Sequence, residues 1–274
     1  MKYSLKIVIL LPILIFSSIS GKYFDKNLDQ DNSKLPKKLE AGEELVYVVK
    51  YSVMRLGEVK LRITDKKNID GKIYYNAIAD IDSYPGIPFV NLHQVYETTM
   101  TSDYHSKYFK GIIKHSDDTS YAEYHFNYSD SLVNISEGKI NDQAQSYDTT
   151  ISVDKRYQDG LSIFYYARMN SGQDKEVEIP TFIDKKKVNT DITFEDKSEE
   201  VSIDAVDYDV DCVYLEGEAH FISIFGLTGD FEGWFSNDNA AIPIKAKMKV
   251  LLGNITLELI SWKRTGWNPP RYKE

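Results

Sequence analysis

Glu43-Glu44-Leu45-Val46-Tyr47-Val48-Val49-Lys50-Tyr51, followed by Val59-Lys60-Leu61-Arg62-Ile63, is the stretch that decides the fold. Leu45, Tyr47, Val49 and Tyr51 fall on one face of an extended chain, and Val59, Leu61 and Ile63 alternate in the same way with Lys60 and Arg62. Successive side chains of a strand point to opposite sides, so this period of two marks half-buried strands. Turn chemistry agrees. Arg55-Leu56-Gly57-Glu58 and Asn68-Ile69-Asp70-Gly71 put glycine where a hairpin or bulge needs positive φ.

Outward from there, the alternation resumes at Ile73, Tyr75, Ala77, Ala79 and Ile81 and stops at Pro85 and Pro88, which cannot serve a central strand. Further strands are predicted near 91–101, 106–115, 119–129 and 131–137, then near 176–183, 188–195, 199–204, 207–216, 218–224, 229–236, 242–251 and 254–263. One segment breaks the pattern. Gln158 to Asn170 carries apolar residues at helical spacing from Leu161 to Met169, with Asp159 as a cap and Gly172 as a stop. It predicts one helix of about three turns, aromatic around much of its surface and therefore buried on more than one side. More than a dozen antiparallel strands in one chain curl or close, because closure removes unpaired edges. The expected fold is all-β: a large, strongly curved antiparallel sheet forming a barrel or half-barrel, with the helix against its concave side.

The ends frame this domain. Lys2 and Lys6, the apolar run Ile7 to Phe16, and the small residues Ser18 and Ser20 read as a secretory signal peptide over 1–20. The apolar run of ten residues, interrupted by Pro12, is about half of what a membrane-spanning helix needs, so no transmembrane anchor is expected. The expected division is a signal peptide at 1–20, a polar leader at 21–42, a single β-rich domain at 43–263 and an irregular tail at 264–274. After cleavage the loss of Lys2 and Lys6 takes the formal charge from −9 to −11. That excess of acid argues against nucleic acid as a partner. The single cysteine, Cys212, excludes an intramolecular disulfide and a thiolate zinc cluster.

Candidate chemistry is sparse. His93, His105, His115, His125 and His220 lack metal-ligand spacing, although His115 and His125 fall on consecutive predicted strands. No hydrolase elbow, dinucleotide loop or phosphate loop occurs, and no cofactor is expected. Asp207, Asp209 and Asp211 stand at period two on a predicted strand, where they could hold a cation or simply keep an edge soluble. Glu97, Glu123 and Asp238 are the carboxylates that an unrecognised hydrolase would use. The chain holds 20 Tyr, 12 Phe and 3 Trp, and rings with polar tips suit an apolar wall reachable by an amphiphile. Phe126, Phe164, Tyr165, Tyr166 and Trp234 are the candidate ligand-binding residues, and Cys212 reads as a core or edge residue whose acidic neighbours raise its pKa.

Three stretches also resemble a family. Gly42-Glu43-Glu44-Leu45-Val46-Tyr47-Val48-Val49-Lys50-Tyr51 with Leu56-Gly57-Glu58-Val59 resembles the opening strand and turn of the bacterial exported family known as domain of unknown function 3108. Tyr157 to Arg168 is similar to its central helix, and Gly233 to Ala246 with Gly253 to Leu259 to its closing hairpin. Ala240-Ala241 departs from the resemblance, since a basic residue is expected there. The resemblance implies an envelope protein of mostly β structure and supplies no reaction, cofactor or catalytic residue. The reading is therefore a non-enzymatic periplasmic barrel that binds a lipid-like or amphiphilic molecule or works with an envelope protein partner. The alternatives are a carbohydrate- or protein-binding module using exposed Tyr and Trp, and the hydrolase.

Overall fold

The computed structural model of the protein describes residues 36–87, 91–221, 229–250 and 253–273. The expected signal peptide, most of the expected leader and the end of the strand expected at 218–224 lie outside these residues. Eight strands come first: β1 Glu44–Tyr51, β2 Met54–Ile69, β3 Lys72–Ser83, β4 His93–Thr101, β5 Ser106–Lys114, β6 Thr119–Asn127, β7 Leu132–Lys139 and β8 Asp142–Ser152. The helix α1, Ser162–Asn170, follows. Six more strands complete the chain: β9 Lys175–Ile183, β10 Lys186–Val201, β11 Val210–Ala219, β12 Gly229–Ser236, β13 Pro243–Val250 and β14 Gly253–Lys263.

All 14 strands form one antiparallel sheet in the order β8-β7-β6-β5-β4-β3-β2-β1-β14-β13-β12-β11-β10-β9. The first and last strands pair at its middle, and the two strands that flank the helix in sequence, β8 and β9, are its edges. No ladder joins those edges, so the sheet is barrel-like without being closed. Rings seal the gap instead. Phe182 of β9 meets Tyr124 and Phe126 of β6 and Tyr157 edge-on at 5.5, 5.6 and 6.1 Å. The chain before the helix stitches the same seam, with Gln158 N–H donating to Pro180 C=O at 2.9 Å and Phe182 N–H to Gln158 C=O at 2.8 Å. Proline suits this edge position because it has no N–H to leave unpaired.

Several expectations are corrected in detail. β8 is a strand that the alternation does not predict, because Asp142–Ser152 reads DQAQSYDTTIS and has no apolar period of two. It is an edge strand held by its ladder to β7. The strands expected at 188–195 and 199–204 are one strand, β10, whose register against β11 shifts between Phe194 and Ser198. Gly57 lies inside β2, where a Cβ would stand 2.2 Å from Asp82 O, so glycine serves close backbone approach and the turn is made at Ser52, φ 54°. The Asp70-Gly71 turn is as expected, with φ of 51° and 77°. Leu39, only 1% exposed, belongs to the core, so packing begins before Gly42.

The helix lies where two halves of the sheet meet. Leu161, Tyr165 and Met169 pack with Tyr47, Tyr96, Met100 and Leu259, while Ile163 and Ala167 pack with Ile179, Ile192, Phe194, Val213, Leu215 and Phe235. Asp159 starts it as expected: Oδ1 accepts the N–H groups of Leu161 and Ser162 at 2.7 and 2.8 Å, and Oδ2 accepts the Thr98 hydroxyl at 2.6 Å. This carboxylate therefore ties the helix start to β4. Arg168 ties the helix end. It is 1% exposed and donates twice to Glu43, at 2.5 and 2.8 Å, and twice to Ala240 C=O, at 3.0 and 2.8 Å. Arg264 Nη1 reaches the same Glu43 at 2.5 Å.

Burial pushes the Glu43 carboxyl up, but Arg168 and Arg264 outweigh it and hold its pKa below the usual value. Arg168→Met leaves Glu43 with one partner and is expected to cost about 3–5 kcal/mol in denaturant unfolding, and Glu43→Gln added to it to recover much of the loss. At Asp159 burial dominates over its donors, and the pKa is raised. A raised folded pKa means that stability from this group is full below the unfolded value and falls as pH rises through the folded one. Asp159→Asn is therefore expected to gain in melting temperature over the wild type at pH 7, with the gain shrinking as pH is lowered toward 4. A gain independent of pH would contradict this assignment.

Candidate functional site

The curled sheet leaves room at one rim, the one carrying the β5–β6 and β9–β10 connections and the end of β11. A cavity of about 570 Å³ lies between the inner face of β4 to β6 and the opposing β9–β10 hairpin. Period two builds its floor: Tyr96 stands directly opposite Gly111, which stands opposite Ala122, and one pair further along Phe109 stands opposite Tyr124. Gly111 gives the Tyr96 ring its room. A Cβ there would lie 3.0 Å from the Tyr96 ring, so its absence lets that ring lie flat across β5. The rings run on as a row, with Tyr96 to Phe109 at 5.9 Å and Phe109 to Tyr124 at 5.5 Å.

The far wall is Ile183 and Val188, and Phe221 borders both this cavity and a smaller apolar hollow of about 80 Å³ lined by Ile163, Phe164, Ala167, Phe231 and Met248. Charge is kept to the mouth. Asp184 and Lys186 pair at 3.5 Å, and His220 Nε2 lies 3.0 Å from Asp191, whose hydrogen bond raises the imidazole pKa. Burial pushes the Tyr96 phenol to about 12 and lifts that of Tyr124 as well, so both remain neutral. Carbon-rich inside and charged at the lip, the arrangement suits a molecule with an apolar body and a polar end.

The five candidate ligand residues are not brought together. Phe164 lines the smaller hollow. Phe126, at 2% exposed, and Tyr165, at 3%, are solid core, and Tyr166 packs half-buried against the β9–β12 cluster. Trp234 faces the other way: its neighbour Phe235 points to the helix, while Trp234 stands opposite Tyr214 and donates to Glu199 at 2.9 Å under the Lys247 ammonium. Tyr96, Phe109 and Tyr124, which line the large cavity, fall on predicted strands whose sequence does not say which face turns inward.

Most of the acidic candidates have structural partners. The row Asp207, Asp209 and Asp211 is corrected, because β11 starts at Val210 and only Asp211 is in a strand. Residues 202–209 cross the sheet as a loop, where Asp204 takes Lys50 at 3.0 Å, Asp209 accepts from Ser202, and Asp211 accepts the Ser198 hydroxyl at 2.5 Å. Among the described residues no three His, Cys, Asp or Glu side chains are placed to hold a metal ion. Glu97 and Glu123 flank Lys110 on adjacent strands, and Glu123 also accepts from His125 at 2.8 Å, whereas His115 lies near Ser120 at 3.3 Å. Asp238 organises a turn: it accepts the N–H groups of Ala240 and Ala241 at 3.0 Å each and Trp267 Nε1 at 2.7 Å. Ala240 and Ala241 are 1% and 0% exposed, leaving no room there for the basic side chain that the resemblance calls for. Burial pushes the Cys212 thiol well up, followed by Asp211 and other acids, which leaves it inert.

No helix among the described residues is long and apolar enough to cross a membrane. No curated protein matches the chain. One solved structure similar to it is the crystal structure of a beta-barrel-like protein of the domain of unknown function DUF1849 from Brucella abortus, at 12% identity and a TM-score of 0.49, covering 81% of this chain and 97% of that one. A family described as protein of unknown function, DUF3108, matches residues 46–260, a span that includes every strand from β2 to β13 and the helix. On that match the chain belongs to the DUF3108 family.

Proposed function

We propose that this protein is exported to the periplasm, where it binds an amphiphilic, lipid-like molecule without transforming it, the apolar part in the cavity under the β5–β6 hairpin and the polar end at Lys186 and His220. The single observation that carries this reading is the cavity of about 570 Å³, whose floor is rings and aliphatic groups and whose charges stand only at the lip. That volume falls in the range of about 300–1,000 Å³ that suits small organic ligands. The signal-peptide pattern at 1–20 supports export. Binding of this kind needs no reaction.

Native mass spectrometry of the protein purified from its own envelope fraction tests the reading. The expected result is a chain beginning at Gly21 that carries a discrete extra mass, removed by organic extraction. A bare mass would overturn the ligand assignment and turn attention to a protein partner. Ala122→Phe is expected to fill the cavity, since Ala122 lines it, and to weaken rebinding of the extracted molecule by about tenfold or more, ~1.4 kcal/mol, with a melting temperature no lower than that of the wild type. Equal rebinding by wild type and variant would place the molecule elsewhere.

A further inference from the structure

The opposite rim carries a second, differently built hollow. Its volume is about 550 Å³, and it lies among the start of β3, the β4–β5 and β6–β7 turns and the chain just after β8. In a protein with a formal charge of −9 this spot is cationic, lined by Lys72, Lys107 and Arg156. Asp103 is the sole carboxylate of its lining, and it is occupied. It accepts from Arg156 Nη1 at 2.6 Å and from the Thr101 hydroxyl, and lies 3.2 Å from His105 Nδ1. It thereby orients Arg156, and among the described residues neither lysine is ion-paired with a carboxylate.

Lys107 Nζ donates one proton to Phe126 C=O at 2.8 Å and sits 5.3 Å above the Tyr128 ring, so two ammonium protons remain for a ligand. Its pKa is lowered by burial first and then by Lys72 and Arg156, so the cations are close enough to repel one another. An anion relieves that repulsion. Three cations less one carboxylate leave two charges, which match a dianion, and the hydroxyls of Ser102 and Ser129 line the same wall as neutral donors.

We propose that this hollow is an oxyanion site that takes a phosphate group, held by Lys72, Lys107 and Arg156. It is independent of the amphiphile cavity, being at the other end of the strands. Isothermal titration of the mature protein with sodium phosphate, against sodium chloride at equal ionic strength, tests it. The expected result is saturable phosphate binding that chloride does not reproduce, weakened about tenfold in Lys107→Met and in Lys72→Met and unchanged in Ala122→Phe. Lys72 is exposed, so its variant keeps the fold even if the partly buried Lys107 does not. Phosphate binding no stronger than chloride, or equal in wild type and Lys72→Met, would overturn the site. A parallel titration with monomeric dihexanoyl phosphatidic acid separates the sources of the group. Tighter binding than inorganic phosphate assigns a lipid headgroup, and equal or weaker binding assigns free phosphate.

Discussion

The carboxylate of Glu43 is the point on which the architecture closes. It stands just before β1, yet it holds Arg168 at the end of the helix and Arg264 just after β14, contacts that are 125 and 221 residues apart in sequence. A sheet whose first and last strands pair at its centre must bring its termini together before its middle is complete. The Glu43 cluster does this at one rim, and the helix it anchors then occupies the concave side. Buried ion pairs add little stability beyond apolar groups of the same shape. Their use here is position: an apolar helix could slide along an apolar wall, whereas the guanidinium of Arg168 has one carboxylate and one carbonyl, Ala240 C=O, to meet.

The second constraint is the pair of edges. A sheet of this length cannot stay open without exposing unpaired backbone, and here the two edges are handled by different means. β8 is short of apolar residues, DQAQSYDTTIS, with Ile151 the one that packs on the core. β9 is covered by the chain that leads into the helix and is packed by Phe182 against the rings of β6. Sealing by rings permits what a continuous ladder would forbid, a gap between opposing walls. The cavity lies where the seal ends, above Phe182, between Tyr124 and the β9–β10 turn.

How much of this the sequence disclosed follows from what each interaction depends on. Strands with one buried face, such as β1, β2 and β3, announce themselves by alternation, and the helix by its spacing and its Asp159 cap. β8 was silent because hydrogen bonding, which any sequence can supply, holds it in place. The ligand candidates failed to converge because aromatic type says nothing about which face of a strand points inward. A one-residue offset separates Trp234 on the outer face from Phe235 on the inner one. The Glu43 cluster had one visible sign, an arginine within an otherwise apolar helix face, and its partners lie too far along the chain for spacing to connect them.

The two ends of the strands have opposite chemistry, and the helix explains the division. It enters beside Asp159 and ends at Arg168, filling the half of the interior nearest Glu43 with Tyr165, Met169 and Leu161. Core at that end is solid, so any recognition there is confined to the outer lip, where polar turns gather charge. At the other end nothing of the helix reaches between β5 and the β9–β10 hairpin. The walls stay apart, and side chains on the inner faces of the strands, with Asp184, His220 and Phe221 at the lip, decide what the space accepts. Aromatic residues at Tyr96, Phe109 and Tyr124 make that space apolar, while Gly111 and Ala122, small where rings could have stood, keep it from being filled. An open space with small residues at its centre loses packing that larger ones would restore, a loss that a bound apolar molecule offsets.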